Sequence, residues 1–229
     1  MSLVPITNFL QIIPGYLQNR SQSNQGLPTL AHELVLDLNF TGLAQVELDE
    51  WNTDWSVQAE WIYRLAIPQD SQVVVIAYSW GAGFGFTRLA QELRDRGILI
   101  QHAILSDPVF HLGPRWFHTV AGLFLAQMRA YYPYSRCTQK LCDWGLLPPR
   151  PTIKVPDNVL AVDYFIQRNS PLRGHELVAE GAHTVINRHP IDYRTHTNMD
   201  DCPEFRIKCR EVCHRLFNPT NLSSRYSRI

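Results

Sequence analysis

Residues 72–83 read QVVVIAYSWGAG, and this stretch decides the fold. Val73, Val74, Val75 and Ile76 form an apolar run without polar alternation, which is typical of a strand covered by helices on both faces. A helical pattern follows, with apolar residues on one side and Gly97 placed to end it. The stretch therefore predicts a central strand of a parallel sheet that leads directly into a helix.

The flanking sequence repeats this alternation of strand and helix. We predict further strands over residues 9–13, 44–48, 101–105, 159–166 and 184–193. Helical spacing of apolar residues predicts helices over 27–34 and 54–65 and a terminal helix containing Phe205–Leu216. This order predicts an α/β fold: a mostly parallel central sheet with helices on both faces.

Length and patterning indicate one domain over residues 1–229, with an insertion. The chain has 229 residues, of which 45% are hydrophobic and 18% charged, enough for one sizeable core. Residues 111–157 are less regular, with an aromatic-rich helical stretch over 116–132 and a Pro-rich run over 147–156. We expect a helical insertion over the sheet; the alternative is an amphipathic helix that completes the core.

The charge balance argues against nucleic acid as a partner. Lys plus Arg and Asp plus Glu both total 21, so the formal net charge is zero. The basic residues Arg206, Lys208 and Arg210 lie in a helical pattern, where a solvated face is the simpler interpretation. We expect a neutral or weakly charged partner.

The N-terminal apolar run does not resemble a signal peptide, because no basic residue precedes it and Pro5 and Pro14 interrupt it. No apolar stretch approaches membrane-spanning length. The chain is therefore expected, by default, to be cytoplasmic and to lack an integral membrane segment. The sequence sets no oligomeric state.

The five cysteines form neither an even disulfide set nor a paired zinc spacing. Cys209 and Cys213 with the adjacent His214 could suggest a metal, but both cysteines fall on an apolar helical stripe, which favours core thiols. Gly83 and Gly85 could suggest a dinucleotide loop, but the third glycine of that fingerprint is missing. We predict no metal and no cofactor; a nucleotide-binding protein is the weaker alternative.

Ala77-x-Ser79-x-Gly81 lies between the central strand and its helix. It resembles the nucleophile elbow of α/β hydrolases, in which small residues two before and two after the serine let strand and helix approach closely. Gly81 matches the family pattern, and Ala77 stands where a glycine is usual. The alternative is a structural serine.

The resemblance implies an acid and then a histidine later in the chain, at the same sheet edge. Asp107, just past the next strand, is the expected acid, although an ordinary Asp-Pro turn would also explain it. Asp163, within a strand, and Glu176, in a later loop, are alternative acids.

The base is expected after the last strand and before the last helix. His196 meets both conditions, whereas His183 comes earlier and is the alternative. The oxyanion donors implied by the resemblance are the main-chain N–H of Trp80 and that of Tyr16 or Leu17, after Pro14-Gly15. An ordinary Pro-Gly turn is the other interpretation of that loop.

The resemblance covers about residues 9–217 and implies hydrolysis of an ester, thioester or amide through an acyl-enzyme. Residues 167–175 resemble a segment of bacterial lipase-like members and could shape the rim of the site. We predict a serine hydrolase acting on a carboxylic ester or lipid-like acyl substrate, with the aromatic insertion as a lid. A thioesterase or acyltransferase with the same triad, and a non-catalytic binding protein with this fold, are the alternatives.

Overall fold

The computed structural model describes residues 8–15, 18, 26–39, 44–50, 53–65, 71–109, 152–169 and 174–217. The strands in these ranges are β1 (Phe9–Ile13), β2 (Gln45–Leu48), β3 (Val73–Tyr78), β4 (His102–Ser106), β5 (Ile153–Val155), β6 (Ala161–Gln167), β7 (Leu177–Ala179) and β8 (Val185–Ile191). The helices are α1 (Gly26–Leu34), α2 (Trp55–Leu65), α3 (Phe86–Asp95) and α4 (Pro203–Phe217). Short π-helical turns cover Val35–Asn39 and Gly81–Gly85, and a 3-10 turn covers His196–Asn198.

Six strands form one parallel sheet in the order β2-β1-β3-β4-β6-β8. The central strand β3 pairs with β1 and β4, and every residue of β3 is buried. The carboxyl ends of parallel strands meet at one edge, so the residues that follow β1, β3, β4, β6 and β8 come together there. The predicted α/β fold with a mostly parallel sheet is confirmed.

Helices cover both faces of the sheet. On one face, α2 and α3 pack their buried residues against Phe9, Val75 and Leu105. On the other face, α1 and α4 pack against a second core that includes Ile76 and Phe165. A strand sandwiched in this way must be apolar on both sides, which explains the uninterrupted run at residues 73–76.

A second sheet, made of β5 and β7 in parallel, was not predicted. Each strand has only three residues, too few for an apolar period to stand out. Strand β5 falls at the end of the stretch predicted to be an insertion, residues 111–157. The remainder of that stretch, up to residue 151, lies outside the described residues.

Helix α4 packs its cysteines inward. Cys209 and Cys213 are free and fully buried, and burial raises the pKa of both thiols, in agreement with core thiols. On its outer side, Arg206 and Arg210 pair with Glu33 of α1, and Lys208 pairs with a glutamate one turn along. Of the helices in the described ranges, none has the length and apolarity to cross a membrane.

Candidate active site

Ser79 follows directly after β3, at the carboxyl edge of the sheet. Its φ of 54° lies in the left-handed region, which a non-glycine residue adopts only when its surroundings hold it there. Gly81 makes the sharp turn possible, because a Cβ atom there would lie 2.2 Å from the carbonyl oxygen of Pro14. The serine is therefore held on a strained turn pressed against the end of β1.

His196 brings its imidazole to this serine. Its Nε2 lies 2.8 Å from Ser79 Oγ, and the histidine is 5% exposed. His196 begins the short turn that follows β8 and precedes α4. Thr195 and Asn198 cap that turn reciprocally, which fixes the direction from which the imidazole enters.

Asp107 holds the other side of the imidazole. Its Oδ2 lies 2.6 Å from His196 Nδ1, and the carboxylate is completely buried after β4. Asp107 also has a positive φ, 43°. Like Ser79, it is a residue at a strand end held in an uncommon conformation, which is frequent at functional sites.

Further donors fix the orientation of Asp107. Gln167 Nε2 donates to Asp107 Oδ2 at 3.0 Å, and the main-chain N–H groups of Gln167 and Gly174 donate to Oδ1 at 3.3 and 2.8 Å. Because these groups can only donate, the carboxylate oxygens act as acceptors. His196 Nδ1 is therefore the donor to Asp107, and Nε2 is then the acceptor for the Ser79 hydroxyl.

Tyr78 contacts His196, and nothing in the sequence predicted this contact. Its hydroxyl donates to the main-chain carbonyl of His196 at 2.5 Å, and its ring stacks on the imidazole with centroids 5.5 Å apart. Burial, aided by the negative charges of Asp200 and Asp107, raises the pKa of Tyr78 well above its ordinary value. The phenol therefore stays protonated and remains a donor.

The alternative acids and the alternative base lie elsewhere. Asp163 contacts His102 and His189, each at 2.6 Å, and Glu176 accepts from Tyr164 and Arg188. His183 is exposed in a turn before β8. The structure thus brings together Ser79, Asp107 and His196, and not these alternatives.

The two predicted oxyanion donors differ in what can be said of them. Trp80 directly follows Ser79, so its main-chain N–H belongs to the strained turn itself. The side chain of Trp80 is buried. Tyr16 and Leu17 lie outside the described residues, but Gly15 before them packs on Ser79. Across the ranges that the structure describes, no group of three His, Cys, Asp or Glu side chains could hold a metal ion.

The position of Gln167 in the sequence partly indicated that it would lie near Asp107. It stands directly after the predicted strand over residues 159–166, at the sheet edge that Asp107 also reaches. Side chains at such strand ends converge regardless of their distance along the chain. The contact of Tyr78 had no comparable signal, because it follows from the path of the loop after β8.

Comparison with known proteins gives distant structural likeness only. No family model matches the chain, and no curated protein matches its sequence. The RedJ thioesterase from the prodiginine biosynthetic pathway in Streptomyces coelicolor is 13% identical with a TM-score of 0.46, over 91% of this chain and 85% of that one. A second RedJ structure, with a PEG molecule in its active site, is 12% identical with a TM-score of 0.44, over 91% and 89%.

The surfactin thioesterase domain SrfTE is 16% identical with a TM-score of 0.42, over 90% of this chain and 91% of that one. Identities and TM-scores this low do not define a function. The geometry of the site must support one by itself.

Proposed function

We propose that this chain is a serine hydrolase that forms an acyl-enzyme on Ser79. The observation that carries the proposal is one continuous series of contacts, from Ser79 Oγ to His196 Nε2 and from His196 Nδ1 to Asp107 Oδ2. A serine hydroxyl is a weak nucleophile until an imidazole takes its proton, and a carboxylate must hold that imidazole in the right tautomer. The serine, histidine and aspartate side chains meet at one sheet edge.

The reaction would proceed in two halves. Ser79 Oγ attacks the acyl carbonyl carbon while its proton passes to His196 Nε2. The carbonyl oxygen becomes an oxyanion, for which we propose the N–H of Trp80 and an N–H of Tyr16 or Leu17 as donors. His196 then protonates the leaving group, the acyl group stays on Ser79, and water activated by the same histidine releases the acid.

For the substrate we propose a carboxylic ester or a lipid-like acyl group. The zero net charge of the chain and the aromatic stretch over residues 116–132 support an uncharged, apolar acyl group. A thioester would react through the same steps, and an acceptor other than water would make the protein an acyltransferase. Product analysis with and without an added alcohol distinguishes transfer from hydrolysis.

A fluorophosphonate probe tests the proposal directly, because it reacts with activated serines. We expect the folded protein to be labelled at Ser79, shown by peptide mapping, and the label to be absent from Ser79→Ala. Ser56→Ala is the matched control, since Ser56 is exposed on α2 away from the site, and it should label like the wild type. Absence of labelling in folded wild-type protein would favour a non-catalytic binding protein instead.

A further inference from the structure

Gln18 connects the loop after β1 to the segment that carries His196. The side-chain Oε1 of Gln18 accepts from the main-chain N–H of Gly15 at 3.0 Å. The main-chain N–H of Gln18 donates to the Gly15 carbonyl at 3.1 Å. Its Nε2 donates to Asp200 Oδ2 at 2.8 Å, a contact across 182 residues of chain. One amide side chain thus closes the turn between residues 15 and 18 and ties it to Asp200.

Gly15 lies close to the nucleophile. A Cβ atom built on Gly15 would lie 3.2 Å from Ser79 Cβ and 2.9 Å from Tyr78 Cδ1, so no side chain would fit at residue 15 without a shift of these neighbours. The second oxyanion donor is predicted at Tyr16 or Leu17, the two residues between Gly15 and Gln18. Gly15 and Gln18, the two described residues that flank this predicted donor, are the residues that the hydrogen bonds hold.

Asp200 is a fixed anchor for this tie. It is 1% exposed and lies four residues after His196. The same Oδ2 that accepts from Gln18 also accepts from the main-chain N–H of Leu27 at 2.9 Å, at the start of α1. Burial raises the pKa of Asp200, against the opposing effect of the hydrogen bonds from Gln18 and Leu27. A buried carboxylate held by these donors has little freedom to move.

We infer that Gln18 and Asp200 are positioning residues, which hold Gly15 beside Ser79 and in fixed relation to the segment that carries His196. The inference rests on the proposed function. Oxyanion donors act only when they lie about 2.7–3.1 Å from the developing charge, and a misplacement of about 1 Å can reduce the rate about 100-fold. Asp200 shares its segment with His196, so the tie keeps the base and the oxyanion turn in fixed relation.

The test uses three variants of the full chain: Gln18→Ala, Gln18→Glu, and Gln58→Ala as control. Glutamate at position 18 keeps the acceptor for Gly15 but places two carboxylates together at Asp200. Gln58 is a partly buried glutamine of α2 that donates to Gln11 at 2.8 Å, outside the site. Turnover of 4-nitrophenyl butyrate, thermal unfolding and hydrogen exchange at the Gly15 amide are measured for each.

We expect kcat to fall about 10- to 100-fold in Gln18→Ala and Gln18→Glu, with little change in KM. Hydrogen exchange at the Gly15 amide should accelerate in Gln18→Ala. The control Gln58→Ala should match the wild type in kcat and in exchange at Gly15. Wild-type kcat in folded Gln18→Ala or Gln18→Glu would overturn the inference, as would unchanged exchange at Gly15 in Gln18→Ala. An inert wild type with accelerated exchange would refute the proposed function while the tie itself stands.

Discussion

The hydroxyl of Tyr78 donates to the main-chain carbonyl of His196 at 2.5 Å, although 118 residues separate the two along the chain. Tyr78 also stacks its ring on the imidazole, at an interplanar angle of 28°. The residue before Ser79 therefore holds His196 by both its ring and its hydroxyl. Because Tyr78 ends β3, the strand that leads to Ser79 also helps to place His196.

Tyr78→Phe should slow the reaction and destabilise the fold. The ring stack is kept, but the His196 carbonyl loses the hydroxyl donor and keeps only the longer hydrogen bond from the Met199 main-chain N–H at 3.4 Å, which costs about 1 kcal/mol of unfolding free energy. We expect a lower melting temperature and about a tenfold lower kcat, because the imidazole is held less firmly. Tyr164→Phe is the control, since that hydroxyl contacts Glu176 outside the triad. Equal kcat in both variants would show that Tyr78 only supports the fold.

Asp107 and Asp163 suit a comparison of matched variants, because both are buried carboxylates that contact histidine nitrogen atoms at 2.6 Å. Asp107→Asn should favour the wrong tautomer of His196 and reduce kcat by about 10⁴-fold. Asp163→Asn should leave kcat unchanged in the folded protein. Steady-state kinetics on both variants, with circular dichroism to confirm folding, makes the comparison. Substantial activity in Asp107→Asn would exclude its proposed role.

Asp163 should contribute to acid stability. Burial acts to raise the pKa of Asp163, but the hydrogen bonds from His102 and His189 outweigh it and hold the pKa well below the ordinary value. A carboxyl with a lowered pKa in the folded state stabilises the protein fully above the unfolded-chain pKa of about 4, and this contribution falls as the pH drops toward the folded pKa. The free energy of unfolding should therefore differ between wild type and Asp163→Asn by less at about pH 3 than at about pH 5. Urea unfolding at both pH values measures this, and a constant difference would contradict it.

Gly81→Ala should disrupt the turn that carries Ser79. The new methyl group would overlap the carbonyl oxygens of Pro14 and Ile13, at 2.2 and 2.6 Å, and neither main-chain atom can move aside alone. We expect a loss of about 3 kcal/mol in the free energy of unfolding and loss of probe labelling. Gly97→Ala is the control: nothing lies within 4 Å of its Cβ, and only its φ of 71° causes strain, about 1 kcal/mol. Comparable stability of the two variants would show that the close approach at Gly81 is relaxed in solution.

Strands β1, β3, β4 and β6 were predictable because each is buried and leaves a largely apolar run in the sequence, whereas β2 was predicted from its alternation and β8 is mostly exposed. Strand β3 is buried along its whole length, so its four consecutive β-branched residues stand out. Strands β5 and β7 were missed because three residues carry no measurable period. The helix boundaries were close to those predicted, since α3 ends just before Gly97, where the positive φ favours glycine.

At the site, the resemblance of the Ala77-x-Ser79-x-Gly81 turn to a nucleophile elbow, together with the chain order that it implies, singled out Ser79, Asp107 and His196. The structure brings these three residues into contact; their catalytic roles remain predictions. The supporting residues could not be found in this way. Gln18 and Asp200 are a glutamine in a polar loop and an aspartate before a helix, and each has an ordinary local explanation. Their contact depends on where two distant loops meet, which periodicity does not encode.

Under the proposed function, the position of His196 after β8 also determines when Ser79 can become reactive. During synthesis of the chain, Ser79 and Asp107 are added before His196, which follows Ser79 by 117 residues. A nascent or truncated chain that stops before β8 would contain the nucleophile without its base. Chemical reactivity of Ser79 would thus appear only once β8 and α4 have docked, and it would serve as a reporter that folding has reached completion.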